Sequence, residues 1–128
     1  MKIKDCILIE AFKCDKEETI VETAKKLRGM TLRHIFVVDN DYPIGIISVM
    51  DMNNRVVAEG KNPNELKAKD IMSSPIEVQD VEDDVEDVYK KMIDKKRVMC
   101  AVVKKNKMIG IVTLHQILKK LEVQNEQR

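Results

Sequence analysis

Residues 34–51 read HIFVVDNDYPIGIISVMD, and residues 99–116 read MCAVVKKNKMIGIVTLHQ. Each stretch contains a short apolar run, a polar turn and a second apolar run, which predicts two strands joined in a hairpin. The predicted turns are Asn40-Asp41 and Lys105-Asn106. The stretches start at positions 34 and 99, 65 positions apart, so the same hairpin is predicted twice in one chain.

The offset of 65 positions aligns the rest of the two halves without a gap. Before each hairpin, apolar residues recur with the spacing of a helix that buries one face. These stripes are Ile20, Thr23, Ala24 and Leu27 in the first copy, and Val85, Val88, Tyr89 and Met92 in the second. Further matches at this offset are Lys2-x-Lys4-Asp5 with Lys67-x-Lys69-Asp70 and Lys25-Lys26 with Lys90-Lys91. The chain is therefore an internal repeat.

A second helix is predicted after each hairpin. Its apolar positions are Val49, Met52 and Val56 in the first copy, and Leu114, Ile117, Leu118 and Leu121 in the second. Each copy thus runs strand, helix, strand, strand, helix, which predicts an α/β fold of two pseudo-symmetric repeats packed sheet to sheet. We predict repeat one over residues 1–64, with a linker at 59–66, and repeat two over 65–128. A copy of about 60 residues buries too little surface to be stable alone, so the copies are expected to share a core.

The composition argues against several classes of protein. The chain has 128 residues, 23 Lys and Arg against 22 Asp and Glu, and a net charge of +1, so no global field attracts nucleic acid or an anionic membrane. No apolar stretch approaches the roughly 18 residues of a membrane helix. Three cysteines without a CxxC spacing indicate a reducing, cytoplasmic location. The high charge and scarce Gly and Pro suit an archaeal or thermophilic source.

The repeated phrases resemble the cystathionine-β-synthase (CBS) domain family over about residues 2–121. The phrases are Lys69-Asp70-Ile71-Met72 with Ser74-Pro75, His34 to Asp39, Gly45 to Asp51 and Gly110 to Gln116. The resemblance implies two clefts between the repeats that hold an adenosine-containing ligand: AMP, ADP, ATP, S-adenosylmethionine or methylthioadenosine. It implies a regulatory module without catalytic activity or cofactor. It also implies a homodimer that acts on an effector protein the sequence does not identify.

The motif Gly45-x-x-Ser48-x-x-Asp51 has two interpretations. Gly45 permits close approach of backbone to a ligand, Ser48 stands at a strand-to-helix junction that favours an anion, and Asp51 is placed to accept hydrogen bonds from ribose hydroxyls. The alternative is structural, because Ser-x-x-Asp is also a helix-capping box. Thr113-x-x-Gln116 has the same two interpretations, but it lacks the carboxylate.

The resemblance assigns residues from both repeats to each cleft. In the first cleft, Gly45, Ser48 and Asp51 face an apolar segment. That segment consists of Ile76, Val78, Val98 and Met99. In the second cleft, Thr113 and Gln116 face Ala11, Lys13, Arg33 and His34. Gln116 stands where the family has its ribose-binding Asp. Because Asp51 faces the apolar segment while Arg33 and His34 face Gln116, the resemblance predicts that the Asp51 cleft prefers a less anionic ligand, methylthioadenosine, S-adenosylmethionine or AMP, over ATP.

Two other functions stay open. A scaffold protein with decayed clefts is one, and Gln116 favours it. A nucleic-acid-binding accessory protein is the other, because residues 77–87 hold seven acids while residues 90–107 hold eight bases. Acids at the start of a helix and bases at its end also suit the helix dipole, and no aromatic residues interleave the lysines for base stacking. His34 and His115 have no metal-ligand spacing, and no catalytic constellation is recognisable.

Overall fold

The computed structural model of the chain describes residues 1–29 and 33–126. The chain forms two compact units, one of Phe12–Ile76 and one of Met1–Ala11 with Glu77–Arg128. The leading segment of the first repeat, Met1–Ala11, therefore belongs to the unit that contains the body of the second repeat. The segment that leads into the second repeat, up to Ile76, belongs to the unit that contains the body of the first.

The unit Phe12–Ile76 is a three-stranded sheet with helices. Its elements are β1 (Lys13–Asp15), α1 (Ile20–Arg28), β2 (His34–Asp39), β3 (Tyr42–Ser48), α2 (Val49–Met52) and α3 (Ala68–Ile71). The strand order is β1-β2-β3, with β1 parallel and β3 antiparallel to β2. Helix α2 continues into a π-helical turn over Asn53–Val57. The predicted order of strand, helix, strand, strand, helix is confirmed for this copy.

The other unit repeats the same arrangement. Its elements are a 3₁₀ turn (Ile3–Asp5), β4 (Val78–Asp80), α4 (Val85–Asp94), β5 (Met99–Lys104), β6 (Lys107–Thr113) and α5 (Leu114–Glu126). The strand order is β4-β5-β6, again with a parallel first pair and an antiparallel second pair. Each sheet gains its parallel pair because a helix connects its first two strands.

The two predicted hairpins are present and share an irregularity. The four turn residues have positive φ: Asn40 (50°), Asp41 (68°), Lys105 (52°) and Asn106 (62°). Two central residues with positive φ match the twist of the flanking strands. Beyond each turn the pairing register passes over one residue, Ile44 in β3 and Ile109 in β6. Such bulges bend a strand and re-aim a side chain.

Each unit has its own apolar core. The predicted stripe of α1 is confirmed, since Ile20, Thr23 and Leu27 are buried. The stripe of α4 is also confirmed, with Val85, Val88 and Met92 buried. The predictions for the second helices were partly wrong. Val49, the first residue of α2, is 52% exposed, and Leu118, one turn into α5, is 38% exposed.

The leading segments are held by equivalent backbone hydrogen bonds in the two units. Ile3 N–H donates to Asp83 O at 2.9 Å, and Ala68 N–H, 65 positions later, donates to Glu18 O at 2.8 Å. Ile3 is fully buried in the core of its unit, and Ala68 is fully buried in the other. The exchange of leading segments therefore follows the internal repeat.

A glutamate clamps each leading segment. The Nζ atoms of Lys2 and Lys4 lie 2.6 and 3.1 Å from the carboxylate of Glu82. In the other unit, the Nζ atoms of the equivalent Lys67 and Lys69 lie 2.5 and 2.7 Å from the carboxylate of Glu17. The Lys-x-Lys repeat seen in the sequence thus has a structural role in both units.

Removing the Glu17 clamp is expected to alter stability in acid. The two lysine ammonium groups donate hydrogen bonds to Glu17 and lower its pKa from 4.5 to about 2. A depressed folded-state pKa contributes stability above pH 4.5, and that contribution is lost as the pH falls toward 2. Urea midpoints measured across this range should fall less steeply for Glu17→Gln than for the wild type. The control Glu59→Gln, on an exposed residue, should keep the wild-type slope; an unchanged slope in Glu17→Gln would contradict the clamp.

Candidate functional site

Ser48 and Asp51 form a reciprocal capping box at the junction of β3 and α2. The Oγ of Ser48 accepts the N–H of Asp51 at 3.1 Å, and the Oδ2 of Asp51 accepts the N–H of Ser48 at 2.8 Å. The capping interpretation of this motif is therefore correct. It does not exclude ribose binding, because a carboxylate has about four acceptor positions and the cap occupies one of them.

Arg55 is a neighbour of Asp51 that the sequence analysis did not identify. Its Nε lies 3.8 Å from the Oδ1 of Asp51, at the i, i+4 spacing of a helical ion pair. Its Nη1 also donates to the carbonyl oxygens of Ile71 at 2.8 Å and Met72 at 3.2 Å. Arg55 thus ties the end of the first copy to the α3 segment and orients the Asp51 carboxylate. The spacing of Asp51 and Arg55 was the signal in the sequence.

A cavity of about 580 Å³ opens beside this cap. It is lined by Arg33, His34, Ser48, Val49, Met50 and Asn53. β-Sheet pairing places His34 directly opposite Ser48. The backbone N–H of Val49 donates to the carbonyl of Arg33 at 3.2 Å. The volume lies within the roughly 300–1,000 Å³ typical of small-molecule sites.

The lining of this cavity combines charge with apolar surface. Arg33 is exposed and carries a permanent positive charge with five donors in a planar fork. Val49 and Met50 are 52% and 66% exposed, so the cavity has an apolar wall. Asn53 supplies an amide. Such a set can bind an anionic group at Arg33 while a flat apolar group contacts the methionine and valine.

The structure brings together three residues that the sequence analysis had divided between two clefts. Arg33 and His34 were assigned to the second cleft and Ser48 to the first, yet all three line one cavity in the unit Phe12–Ile76. The sequence pattern missed this because it followed the family's rule across repeats and not the β2–β3 pairing within one. The pairing of either motif with residues of the other repeat stays a prediction.

In the second copy, apolar Val98 and Met99 stand where the first copy has Arg33 and His34. Met99 pairs with Thr113 as His34 pairs with Ser48. The N–H of Leu114 donates to the carbonyl of Val98 at 2.8 Å, and Val98 is 70% exposed. The Oγ1 of Thr113 accepts the N–H of Gln116 at 3.2 Å, which gives this helix its own cap.

The remaining candidate residues lie in ordinary structural positions. Val78 begins β4, pairs with Ala101 and is half-buried. Ile76, the last residue of its unit, and Ala11 are half-buried as well. Lys13 is held by the Oδ1 of Asp41 at 2.7 Å. An ammonium group held in this way is less available to a phosphate.

Packing explains the glycine at position 45. A Cβ atom there would lie 2.5 Å from the sulfur of Met72, a distance that side chains do not tolerate. Ile46 and Ser73 exchange backbone hydrogen bonds of 3.1 and 2.9 Å beside it, which hold the two segments together. A side chain at position 45 would force the Met72 side chain to shift, and a role of Gly45 in ligand approach stays a prediction.

The thiols and possible metal ligands offer no reactive centre in the part of the chain that the structure describes. Cys6, Cys14 and Cys100 are free and buried. Burial raises the pKa of Cys14 and Cys100 to about 11, so both are thiols at neutral pH. Residues 1–29 and 33–126 contain no group of three or more His, Cys, Asp or Glu able to hold a metal. None of the helices described combines the length and apolar character of a membrane crossing.

The sequence matches known proteins along most of its length. An uncharacterized protein of Methanopyrus kandleri is 42% identical over 103 residues, 79% of this chain and 53% of that protein. The chain thus spans about half the length of this relative. An uncharacterized protein of Bacillus subtilis is 32% identical over 116 residues, 88% of this chain and 77% of that protein.

Solved structures and a family match agree on the fold. Hypoxic Response Protein I, determined with two coordinated zinc ions, has a TM-score of 0.79 at 19% identity and covers 94% of this chain and 98% of its own. Staphylococcus aureus OpuCA has a TM-score of 0.73 at 18% identity, with 91% and 97% covered. The CBS domain family matches residues 3–58 and again residues 68–123. The chain therefore belongs to the CBS domain family and is a tandem pair of CBS domains, which in this family form a regulatory module.

Proposed function

We propose that this CBS pair is a sensor that binds an adenosine-containing ligand through the cavity beside Ser48. The observation that carries the proposal is the lining of that cavity, where Arg33, His34 and Ser48 lie next to an apolar wall and the Asp51 carboxylate accepts the N–H of Ser48. No catalytic role is proposed for any of these residues. The ligand classes are those expected from the family: AMP, ADP, ATP, S-adenosylmethionine or methylthioadenosine.

The chemistry of the cavity supports a specific pose. A phosphate or carboxylate of the ligand would accept hydrogen bonds from the guanidinium of Arg33. The ribose hydroxyls would donate to the free acceptor positions of Asp51, which does not line the cavity itself but is 18% exposed and bonded to the lining residue Ser48. The adenine ring would contact Met50 and Val49. In this pose one ligand contacts both the Arg33 guanidinium and the Asp51 carboxylate, so the pose favours AMP over the uncharged methylthioadenosine. AMP is one of the three less anionic ligands expected from the sequence.

Calorimetric titration with a nucleotide panel tests the proposal. AMP, ATP, S-adenosylmethionine, methylthioadenosine and GMP would be titrated into the wild type, Arg33→Gln and the control Arg28→Gln, on an exposed residue of α1. Loss of one charged hydrogen bond is worth about 1.5–3 kcal/mol, so Arg33→Gln should weaken AMP roughly ten- to hundredfold and change methylthioadenosine little. Arg28→Gln should match the wild type. No saturable binding of any adenosine ligand to the wild type would refute the proposal and favour a scaffold role.

We also propose a cytoplasmic homodimer that passes its signal to an effector protein. Exposed apolar residues on the helices support self-association: Val57 is 71%, Ile93 50% and Val123 46% exposed. Burial of such residues between copies is a common origin of symmetric dimers. A CBS-containing relative from bloom-forming cyanobacteria, the CBS-CP12 protein, is hexameric. Sedimentation equilibrium at micromolar concentration measures the oligomeric state directly.

A further inference from the structure

The hairpin turns of the two copies differ sharply in charge. In the first copy, two lysines neutralise the two carboxylates at the end of the hairpin; one lysine lies in β1 and the other directly follows it. Lys13 Nζ lies 2.7 Å from the Oδ1 of Asp41, and Lys16 Nζ lies 3.1 Å from the Oδ2 of Asp39. Two cations and two anions therefore balance at this turn.

In the second copy, every member of these ion pairs is replaced. Val78 and Val81 stand where the first copy has Lys13 and Lys16, and Lys104 stands where it has Asp39. The turn adds Lys105 and Lys107, and all three lysines are exposed. Among the described residues, none of the three has an acidic side chain within ion-pair distance. Like charges this close repel one another, so an anionic partner would relieve the repulsion.

A groove with aliphatic and charged walls lies at the base of this basic turn. It encloses about 220 Å³ and is lined by Lys4, Leu8, Val81, Glu82, Lys104 and Ile109. Ile109 is the bulge residue of β6 and is 47% exposed. Its counterpart in the first copy, Ile44, packs against the core of its unit instead. The bulge that directs Ile44 inward thus leaves Ile109 available on the surface.

The acid in the groove does not oppose an anionic partner. Both oxygens of Glu82 accept from lysines, Oε2 from Lys2 at 2.6 Å and Oε1 from Lys4 at 3.1 Å. Glu82 therefore does not neutralise Lys104, Lys105 and Lys107, and the positive charge of these three lysines beside the groove is unbalanced. Volume and lining fit one aliphatic side chain, and the surrounding charge fits carboxylates on either side of it.

We propose that the groove at Ile109 and the lysines of the β5–β6 turn dock an acidic peptide segment of a partner protein, with one aliphatic side chain of the segment in the groove. Charge complementarity and the exposed isoleucine favour this occupant. A nucleic acid could contact the lysines through its phosphates, but it has no aliphatic side chain to place against Leu8, Val81 and Ile109. A second copy of this chain is disfavoured, because the acids of its own first turn are already paired with lysines. The docking surface does not depend on the nucleotide cavity.

Fluorescence anisotropy with short labelled peptides tests the surface. The probe contains aspartates and glutamates around a central leucine pair. Its controls are the same peptide with an alanine pair, and an oligothymidine of matched charge. The protein variants are Lys104→Glu/Lys107→Glu, Ile109→Ser and the control Lys90→Glu/Lys119→Glu, which makes the same change of charge on exposed helix positions. Circular dichroism melts confirm that each variant is folded.

The leucine peptide should bind the wild type saturably, and the alanine peptide roughly tenfold more weakly, because a buried leucine side chain is worth about 1.5–3 kcal/mol. Lys104→Glu/Lys107→Glu and Ile109→Ser should each weaken the leucine peptide about tenfold. Lys90→Glu/Lys119→Glu should bind within about twofold of the wild type, because these lysines lie on α4 and α5, outside the turn and the groove lining. Three results would overturn the proposal: no saturable binding to the wild type, equal losses in the two charge-reversal variants, or binding of the oligothymidine as tight as that of the peptide.

Discussion

Replacing Ile3 by alanine is expected to lower the free energy of unfolding by about 2–5 kcal/mol, the range for a large-to-small change in a packed core. Ile3 is fully buried among residues of the second repeat, which include Val85, Val88 and Ile117. The cavity left by the change lies where the leading segment joins the rest of its unit. Chemical denaturation monitored by circular dichroism measures the difference.

Ile7→Ala is the matched control for this prediction. It makes the same chemical change four residues later in the same segment, but Ile7 is 71% exposed. A surface substitution of this kind usually changes stability by less than about 0.5 kcal/mol. Equal effects of the two changes would contradict the packing of the leading segment with the second repeat. A small effect of both would mean that the segment contributes little to the core.

The second large effect is expected for Asp51. If its carboxylate binds the ribose, Asp51→Ala should weaken the adenosine ligand about ten- to hundredfold through lost charged hydrogen bonds. The same change removes the acceptor for the Ser48 N–H, so it should also cost about 0.5–2 kcal/mol of stability. Asp51→Gln and Asp51→Glu separate the two roles, because both can still cap. Binding should fall in both variants while the melting temperature stays near that of the wild type.

Two matched variants separate ribose binding from a general loss of helix capping. Asp70→Ala removes an equivalent cap, since the Oδ2 of Asp70 accepts the N–H of Lys67 at 2.8 Å at the start of α3. It should destabilise the protein without changing ligand affinity. Gln116→Ala should affect binding much less than Asp51→Ala. Calorimetry with AMP, ATP, methylthioadenosine and S-adenosylmethionine decides the matter: unchanged affinity in Asp51→Ala would leave the helix cap as its sole role.

The sequence predicted the local structure of this chain well. Short apolar runs and turn residues located both hairpins, and the spacing of Ile20, Thr23 and Leu27 located the buried face of α1. Such features depend on neighbours in the chain, which a single sequence displays. The prediction for Val49 was wrong: its spacing fits a buried stripe, but as the first residue of α2 its side chain is 52% exposed.

The sequence did not reveal which copy each leading segment packs against. Lys2 and Lys67 lie in nearly identical phrases, so the repeat pattern fits a segment packed on its own copy as well as one packed on the other. The distinction depends on contacts between Lys2 and Glu82, eighty positions apart, which no local pattern encodes. For the same reason the sequence did not predict that Arg33 and Ser48 line one cavity, because their proximity depends on the pairing of β2 with β3.

The discontinuous unit has a consequence for the order in which the protein folds during synthesis. Phe12–Ile76 is continuous, so its contacts can all form once Ile76 has left the ribosome. Met1–Ala11 is made before it but must wait for β4 to β6 and α5, which follow Ile76 in the chain. Until they emerge, the apolar side chain of Ile3 has no core to enter and stays exposed on the nascent chain. Folding of the discontinuous unit must bring together two segments that Phe12–Ile76 separates in the chain, which makes it the slower step.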